Sequence, residues 1–164
     1  MKIKYSTKLI QYLIQSLIVM IVISVLSMIA LQYTVSQGRT RLAISFMAKY
    51  HVYVINRIQE EYFLKHKKFA NSIEELKSGI QFENPDYDYS TTATNGVSYS
   101  YGITKKQDSR SFIGAVFKIP AANKSEITTI AILCKNEQSG NIIPPQSILK
   151  KGFPICRAGT TEVK

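Results

Sequence analysis

Two cysteines, two histidines and two pairs of adjacent carboxylates are the side chains whose types and spacing most invite a chemical reading. Cys134 and Cys156 lie 22 positions apart. A zinc site needs about four nitrogen or sulfur ligands in close array. His51 and His66 are remote from both cysteines, and no Cys-x-x-Cys or His-x-x-x-His spacing occurs. In an oxidising compartment an even pair reads as one disulfide, and closing a loop of that size stabilises a fold by roughly 3 kcal/mol. Glu60-Glu61 and Glu74-Glu75 look like paired acids, but neighbouring residues on a helix point in different directions and do not face each other. His51 falls within an amphipathic helix and His66 in the solvated run Lys65-His66-Lys67-Lys68. There is no glycine-rich phosphate loop, no Gly-x-Ser-x-Gly elbow and no His-Glu-x-x-His run. No catalytic residue, metal or cofactor is expected, and an enzyme is the least favoured class.

The elements that would carry these residues divide the chain unevenly. From Leu9 to Gln37 no residue is charged, and the segment Leu9–Ala30 is 22 residues long. As a helix it would extend roughly 33 Å, enough to cross a bilayer core of about 30 Å. Lys2, Lys4 and Lys8 precede it with no acid among them. Positive residues flanking a first span stay in the cytoplasm, which sends the rest of the chain outward and gives the cysteines their oxidising surroundings. Arg39 and Arg41 oppose this weakly from beyond an uncharged spacer. A cleaved secretory signal is the rival reading, although the apolar stretch exceeds the 7–15 residues of a signal core.

After the span the pattern becomes one-sided. Leu42, Phe46, Tyr50, Val54, Ile58 and Tyr62 recur at four-residue steps, widened by Ala43, Met47, Tyr53 and Ile55. No proline precedes Pro85, and Gly38 is the most flexible point along the way. Ser72 with Glu75 three residues on forms a capping box that opens a short helix, closed by Gly79. Alternation then marks strands at Tyr87–Ser90 and Val97–Ile103 around an Asn95-Gly96 turn, read as a hairpin with its tyrosines across one face. Phe112–Ile119 and Ile127–Leu133 supply two more, separated by a loop through Pro120, Asn123 and Lys124. The last thirty or so residues, with Pro144, Pro145, Gly152, Pro154 and Gly159, show little regular pattern. The expected organisation is a basic tail over 1–8, a spanning helix over 9–31, its amphipathic continuation over 32–66 and an α+β head over 67–164. In that head an antiparallel sheet of about four strands lies on the helix.

Setting the three tail lysines aside leaves 18 basic and 11 acidic residues outside the membrane. Clusters stand at Lys65, Lys67 and Lys68, at Lys105, Lys106 and Arg110, and at Lys150 and Lys151 with Arg157. The first two are candidate contacts for DNA or an anionic polysaccharide, with Tyr87, Tyr89, Tyr99 and Tyr101 as stacking surfaces. The competing reading is that the tyrosines pack within the domain.

The layout resembles the type IV pilin-like and pseudopilin family, most closely its cyanobacterial members. Val25-Leu26-Ser27-Met28-Ile29-Ala30-Leu31 is similar to the close of the pilin helix, and Ile55 to Leu64 followed by Lys68-Phe69-Ala70 to its second half and exit. Phe112 to Phe117, Ala131 to Cys134 and the ending Cys156 to Val163 match further. The resemblance implies a non-catalytic subunit, minor or accessory. Its partners would be the lipid bilayer and other pilin subunits, and its place the inner membrane or a surface pilus. On that alignment Ile10 and Gln11 flank the candidate processing site, with Ile10 in place of the family's glycine, and Gln15 replaces its glutamate. Leu13, Gln15, Ser16, Ser27, Ala30 and Leu31 become the anchoring and helix-packing residues. Ser16, Ser27 and Ala30 share a narrow arc that suits a helix–helix seam, or equally serines tolerated in lipid through bonds to the preceding turn. The alternative from another class is a membrane-tethered module whose basic outer domain recruits a polyanion.

Overall fold

With no helix breaker before Pro85, the chain winds into one helix, α1, Thr7–His66, which passes through Gly38 without interruption. The computed structural model describes residues 7–76, 79, 82, 84–121 and 126–163. The tail lysines Lys2 and Lys4 and the turn residues Asn123 and Lys124 therefore lie outside the described residues. The helix ends where Lys67 turns left-handed at φ 58° and donates its N–H to the Phe63 carbonyl at 2.8 Å. Two units divide the chain at Leu42 and Ala43. In the first, every described side chain from Leu9 to Ser36 is exposed.

In the second unit α2 (Ile73–Leu76) and seven strands follow. The strands are β1 (Tyr87–Ala93), β2 (Val97–Thr104), β3 (Phe112–Pro120), β4 (Ile127–Asn136), β5 (Ile148–Lys150), β6 (Phe153–Ile155) and β7 (Thr160–Glu162). β1-β2-β3-β4-β7 form one antiparallel sheet of five strands, and β5-β6 a separate hairpin. The four expected strands are all present. The tail read as irregular contributes three more, each three residues long.

The sheet has two covered faces. On one, Tyr87, Phe112 and Leu133 meet Ala48 and Val52 of α1, and Val116 meets Phe63 and Phe69. On the other, Ile113, Ala115, Phe117, Ile132 and Cys134 pack with Tyr99, Tyr101 and Cys156. The tyrosines therefore do not share a face, contrary to the sequence expectation. The two-residue Asn95-Gly96 turn pairs Tyr89 with Gly102 and Thr92 with Tyr99, so odd positions of β1 oppose even positions of β2. Cross-strand partners share a face, which sends Tyr87 and Tyr89 toward the helix and Tyr99 and Tyr101 away from it.

The buried stripe of the helix also differs from the four-residue ladder. Ala48, Val52, Ile55, Asn56, Gln59 and Phe63 are buried, whereas Leu42, Phe46 and Tyr50 are exposed. A step of four residues overshoots one turn by about 40°, so a ladder of such steps spirals around the helix instead of following one face. The helix–sheet contact is close because β2 and β3 offer glycines beneath it. A Cβ on Gly114 would overlap the Asn56 amide oxygen, and one on Gly102 would stand 2.8 Å from Val52. Gln59 organises the exit from α1. Its Nε2 donates to the Ala70 carbonyl at 2.8 Å and to Thr91 at 3.0 Å, while its Oε1 accepts from the Ala70 N–H at 3.0 Å. That buried amide is satisfied on both ends.

Candidate functional site

An apolar helix surface with no cover of its own is the most conspicuous functional feature of the described residues. The helix is long and apolar enough to cross a membrane, and the most apolar window within it buries nothing. Leu13, Ile14, Leu17, Ile18, Met20, Leu26 and Leu31 are all exposed. Four of its hydroxyls bond to the helix's own backbone. Ser16 donates to the Leu13 carbonyl at 2.9 Å, and Ser24, Ser27 and Thr34 to Ile21, Ser24 and Leu31 at 2.8 Å each. Such bonds let a serine sit in hydrocarbon without a partner helix. Ile10 and Gln11 lie exposed within the same helix, and Gln15 and Ala30 are exposed on it too.

The cysteines meet as a Cys134–Cys156 disulfide with Cα atoms 5.9 Å apart. Cys134 is buried on the sheet face away from α1, and the segment between the two cysteines lies over that face. Tyr99 donates its hydroxyl to the Ser147 carbonyl at 3.1 Å, and Gln146 donates to the Tyr101 hydroxyl at 3.1 Å. Asn136 donates to the Ile142 carbonyl at 2.9 Å. Ser147 Oγ stands 3.2 Å from Cys134 Sγ and is the donor there, because a bridged sulfur carries no proton. Two of the four tyrosines considered as stacking platforms thus hold the terminal loop, and burial pushes the Tyr99 hydroxyl up in pKa. Tyr87 lies beneath the helix, donating to the Arg110 carbonyl at 2.9 Å, with its pKa raised by the same desolvation.

The five lysines and one arginine considered for polyanion contact are not brought together. Lys65 lies in the last turn of α1 and Lys67 and Lys68 follow it, near where Phe63 packs with Ala93. Lys105 joins the other end of β1, its N–H bonded to the Asp86 carbonyl at 2.8 Å. The length of β1, roughly 20 Å for a seven-residue strand, separates the two groups. Three of the charges are also partnered: Lys68 with Glu75 at 3.5 Å, Lys105 with Asp88 at 2.7 Å and Lys106 with Asp86 at 3.3 Å.

Two further polar arrangements stand out. Glu75 accepts from the Asn71 N–H at 2.7 Å and from the Tyr62 hydroxyl at 2.8 Å, and Ser72 accepts from the Glu75 N–H at 3.2 Å. The expected cap is present, with its carboxylate turned to Asn71. These bonds, the Asn71 N–H first, hold the Glu75 carboxyl below its ordinary range, and the bond to Glu75 raises Tyr62. His51 sits edge-on to Tyr89 at 5.1 Å and to Phe82 at 5.7 Å, and its burial lowers its pKa. It is a half-buried histidine set among aromatic rings. A groove of about 640 Å³ runs between α1 and β4, walled by Phe46, Tyr50 and Tyr53. Of the acids that line it, Glu60 is held by Arg57 at 2.6 Å. Among the described residues no three His, Cys, Asp or Glu side chains converge as metal ligands.

Sequence periodicity missed the side chains that fit the helix to the sheet, because Asn56 and Gln59 are polar and Gly102 and Gly114 have no side chain. It also missed the β5-β6 hairpin, whose one available signal was Lys151-Gly152 set between two short apolar runs. Compared with known proteins, residues 46–156 match the model of a type IV pilin-like G and H family, which is more than half of the chain. No curated protein and no solved structure matches it.

Proposed function

Because the chain belongs to the type IV pilin-like G and H family, we propose that it is a non-catalytic minor or accessory pilin-like subunit, held in the inner membrane by its first helix and assembling with other pilin subunits. The carrying observation is the stretch Leu9–Ser36, apolar for most of its length and exposed throughout. Exposed hydrocarbon on that scale requires cover, and a bilayer or a bundle of like helices provides it. Lys2, Lys4 and Lys8 favour a cytoplasmic start with the disulfide-bonded domain on the far side.

On this reading Leu13, Ser16, Ser27, Ala30 and Leu31 form the anchoring and packing surface. Gln15 offers an amide to a neighbouring helix where the family's glutamate would offer a charge. Ile10-Gln11 is the processing position.

Mature N-terminal sequencing of the membrane fraction, together with assay of sheared pili, tests the proposal. A start at Met1 or Gln11, in membranes or in pili, agrees with it. A start near Leu31, or a freely soluble product, removes the anchor and overturns it. Neither lysine cluster favours the tethered polyanion module, since they stand apart and are half neutralised. A steep loss of DNA binding between low and moderate salt would revive that module.

A further inference from the structure

The β5-β6 hairpin projects apolar side chains that the rest of the domain does not cover. Its register pairs Ile148 with Ile155 and Lys150 with Phe153, so these four side chains share one face. Phe153 is 70% exposed, and Ile148 and Ile155 are exposed beside it. Lys150 and Lys151 stand at the tip, where Lys151 and Gly152 make the turn with φ of 52° and 84°. Neither lysine has an acidic partner among the described residues. The surrounding sequence is one-signed as well. From Gln138 to Thr161 there is no Asp or Glu, while Lys150, Lys151 and Arg157 are all basic. At its base the hairpin runs directly into Cys156, which the disulfide fixes to β4.

We propose that this hairpin is a docking element for an anionic lipid surface. Phe153, Ile148 and Ile155 would enter the boundary between headgroups and acyl chains, with Lys150 and Lys151 on the phosphates. Three properties select that partner. The apolar face is too small to bury itself, yet of a size to insert shallowly. The lysines carry long stems that lie along apolar surface while their charges remain in the polar layer. The acid-free stretch that carries the hairpin adds no repulsion of its own from a negative leaflet, whose field favours each lysine near it. The disulfide supplies preorganisation, so docking orders no loose segment. This goes beyond the subunit proposal, because the contact is made by the domain itself whether or not the first helix enters a filament.

The chain contains no tryptophan, so Phe153→Trp gives a single reporter at the tip. The full chain would be held in zwitterionic nanodiscs and mixed with vesicles of phosphatidylcholine alone or with phosphatidylglycerol. In a second arm the nanodiscs themselves would contain phosphatidylglycerol. The expected result is a blue-shifted emission, quenched by brominated acyl chains, with phosphatidylglycerol in either arm and with neither purely zwitterionic sample. Replacing both lysines by glutamine should lower vesicle partitioning roughly thirtyfold, at about 1 kcal/mol per lysine. Ile155→Ser should weaken it while leaving the disulfide intact by mass. No shift with any lipid overturns the proposal. So does a shift that follows protein concentration without lipid, which would mark contact between copies, or one produced by duplex DNA and not by vesicles.

Discussion

Helix α1 contains two apolar regions with opposite fates. From Leu9 to Ser36 nothing described is buried, while between Ala48 and Phe63 six side chains are, among them Val52 and Ile55. Hydrophobicity is not what separates them, since the exposed region is the more apolar and the buried one includes Asn56 and Gln59. The difference lies in what the chain folds against each. The second region meets a sheet face shaped for it, with glycines under Val52 and Asn56 and tyrosines, Phe112 and Leu133 around them. The first has no such counterpart in its own unit. Apolar content therefore says that a surface needs cover, and complementary shape within the chain decides whether the cover is internal.

The sharpest way to break that comparison is one substitution made in both regions. Val52 is fully buried and Val22 is exposed. Val52→Lys would bury an unpaired charge and should cost the folded domain about 4 kcal/mol or more. Val22→Lys should leave the domain's thermal unfolding unchanged and instead disfavour membrane insertion by roughly 3 kcal/mol if placed near the middle of a span. Unfolding followed by near-ultraviolet circular dichroism, set beside carbonate extraction of membranes, separates the two outcomes. Equal unfolding of both variants would mean that the first region is packed against protein after all.

The disulfide extends the contrast to the far side of the sheet. Replacing Cys134 and Cys156 together by serine should lower stability by about 3 kcal/mol, as for a closed loop of this size. The loss should appear in denaturant unfolding of the domain and leave membrane extraction unaltered. Glycines give the next largest effect, with a sign that depends on region. Gly114→Ala sets a methyl carbon against the Asn56 amide, whose Nδ2 is held on the Ile132 carbonyl at 3.1 Å. Overpacking there should destabilise by about 2 kcal/mol. Gly38→Ala meets nothing within 4 Å and should strengthen the helix by roughly 1 kcal/mol.

Much of this was legible in the residues. The change from uniform to one-sided hydrophobicity, the four longer strands, the capping serine and the cysteine pair all follow from spacing. The tyrosine faces were legible too, though alternation alone does not give them. A two-residue turn at Asn95-Gly96 makes the numbers of cross-strand partners sum to an odd total, so odd-numbered tyrosines on the two strands must part. Other features have no local signal. β5, β6 and β7 are three residues long, shorter than any period can register. The helix face that packs is set by the sheet beneath it, which is why the large residues of the four-step ladder lost their place to Ala48 and two amides.

The smallest effect is a test of where the second region ends. Beyond the last turn of α1 the chain is held by Glu75, bonded to Asn71, Tyr62 and Lys68. The Glu75 carboxyl titrates below its ordinary range in the folded chain, so its contribution is complete above the unfolded carboxyl value and is lost as pH falls through the lower folded one. Tyr62 is displaced the opposite way, so the bond it donates persists until pH rises past the ordinary phenol range. Between those limits the Asn71 amide resonance should be constant with pH, and on acidification it should move before the domain unfolds. Glu75→Gln should flatten the acid limb while barely altering the unfolding temperature, because the site is open to water and its charge is screened. An Asn71 signal that moves only with global unfolding would show that this turn opens no sooner than the core residues Ala70 and Leu76 on either side of it.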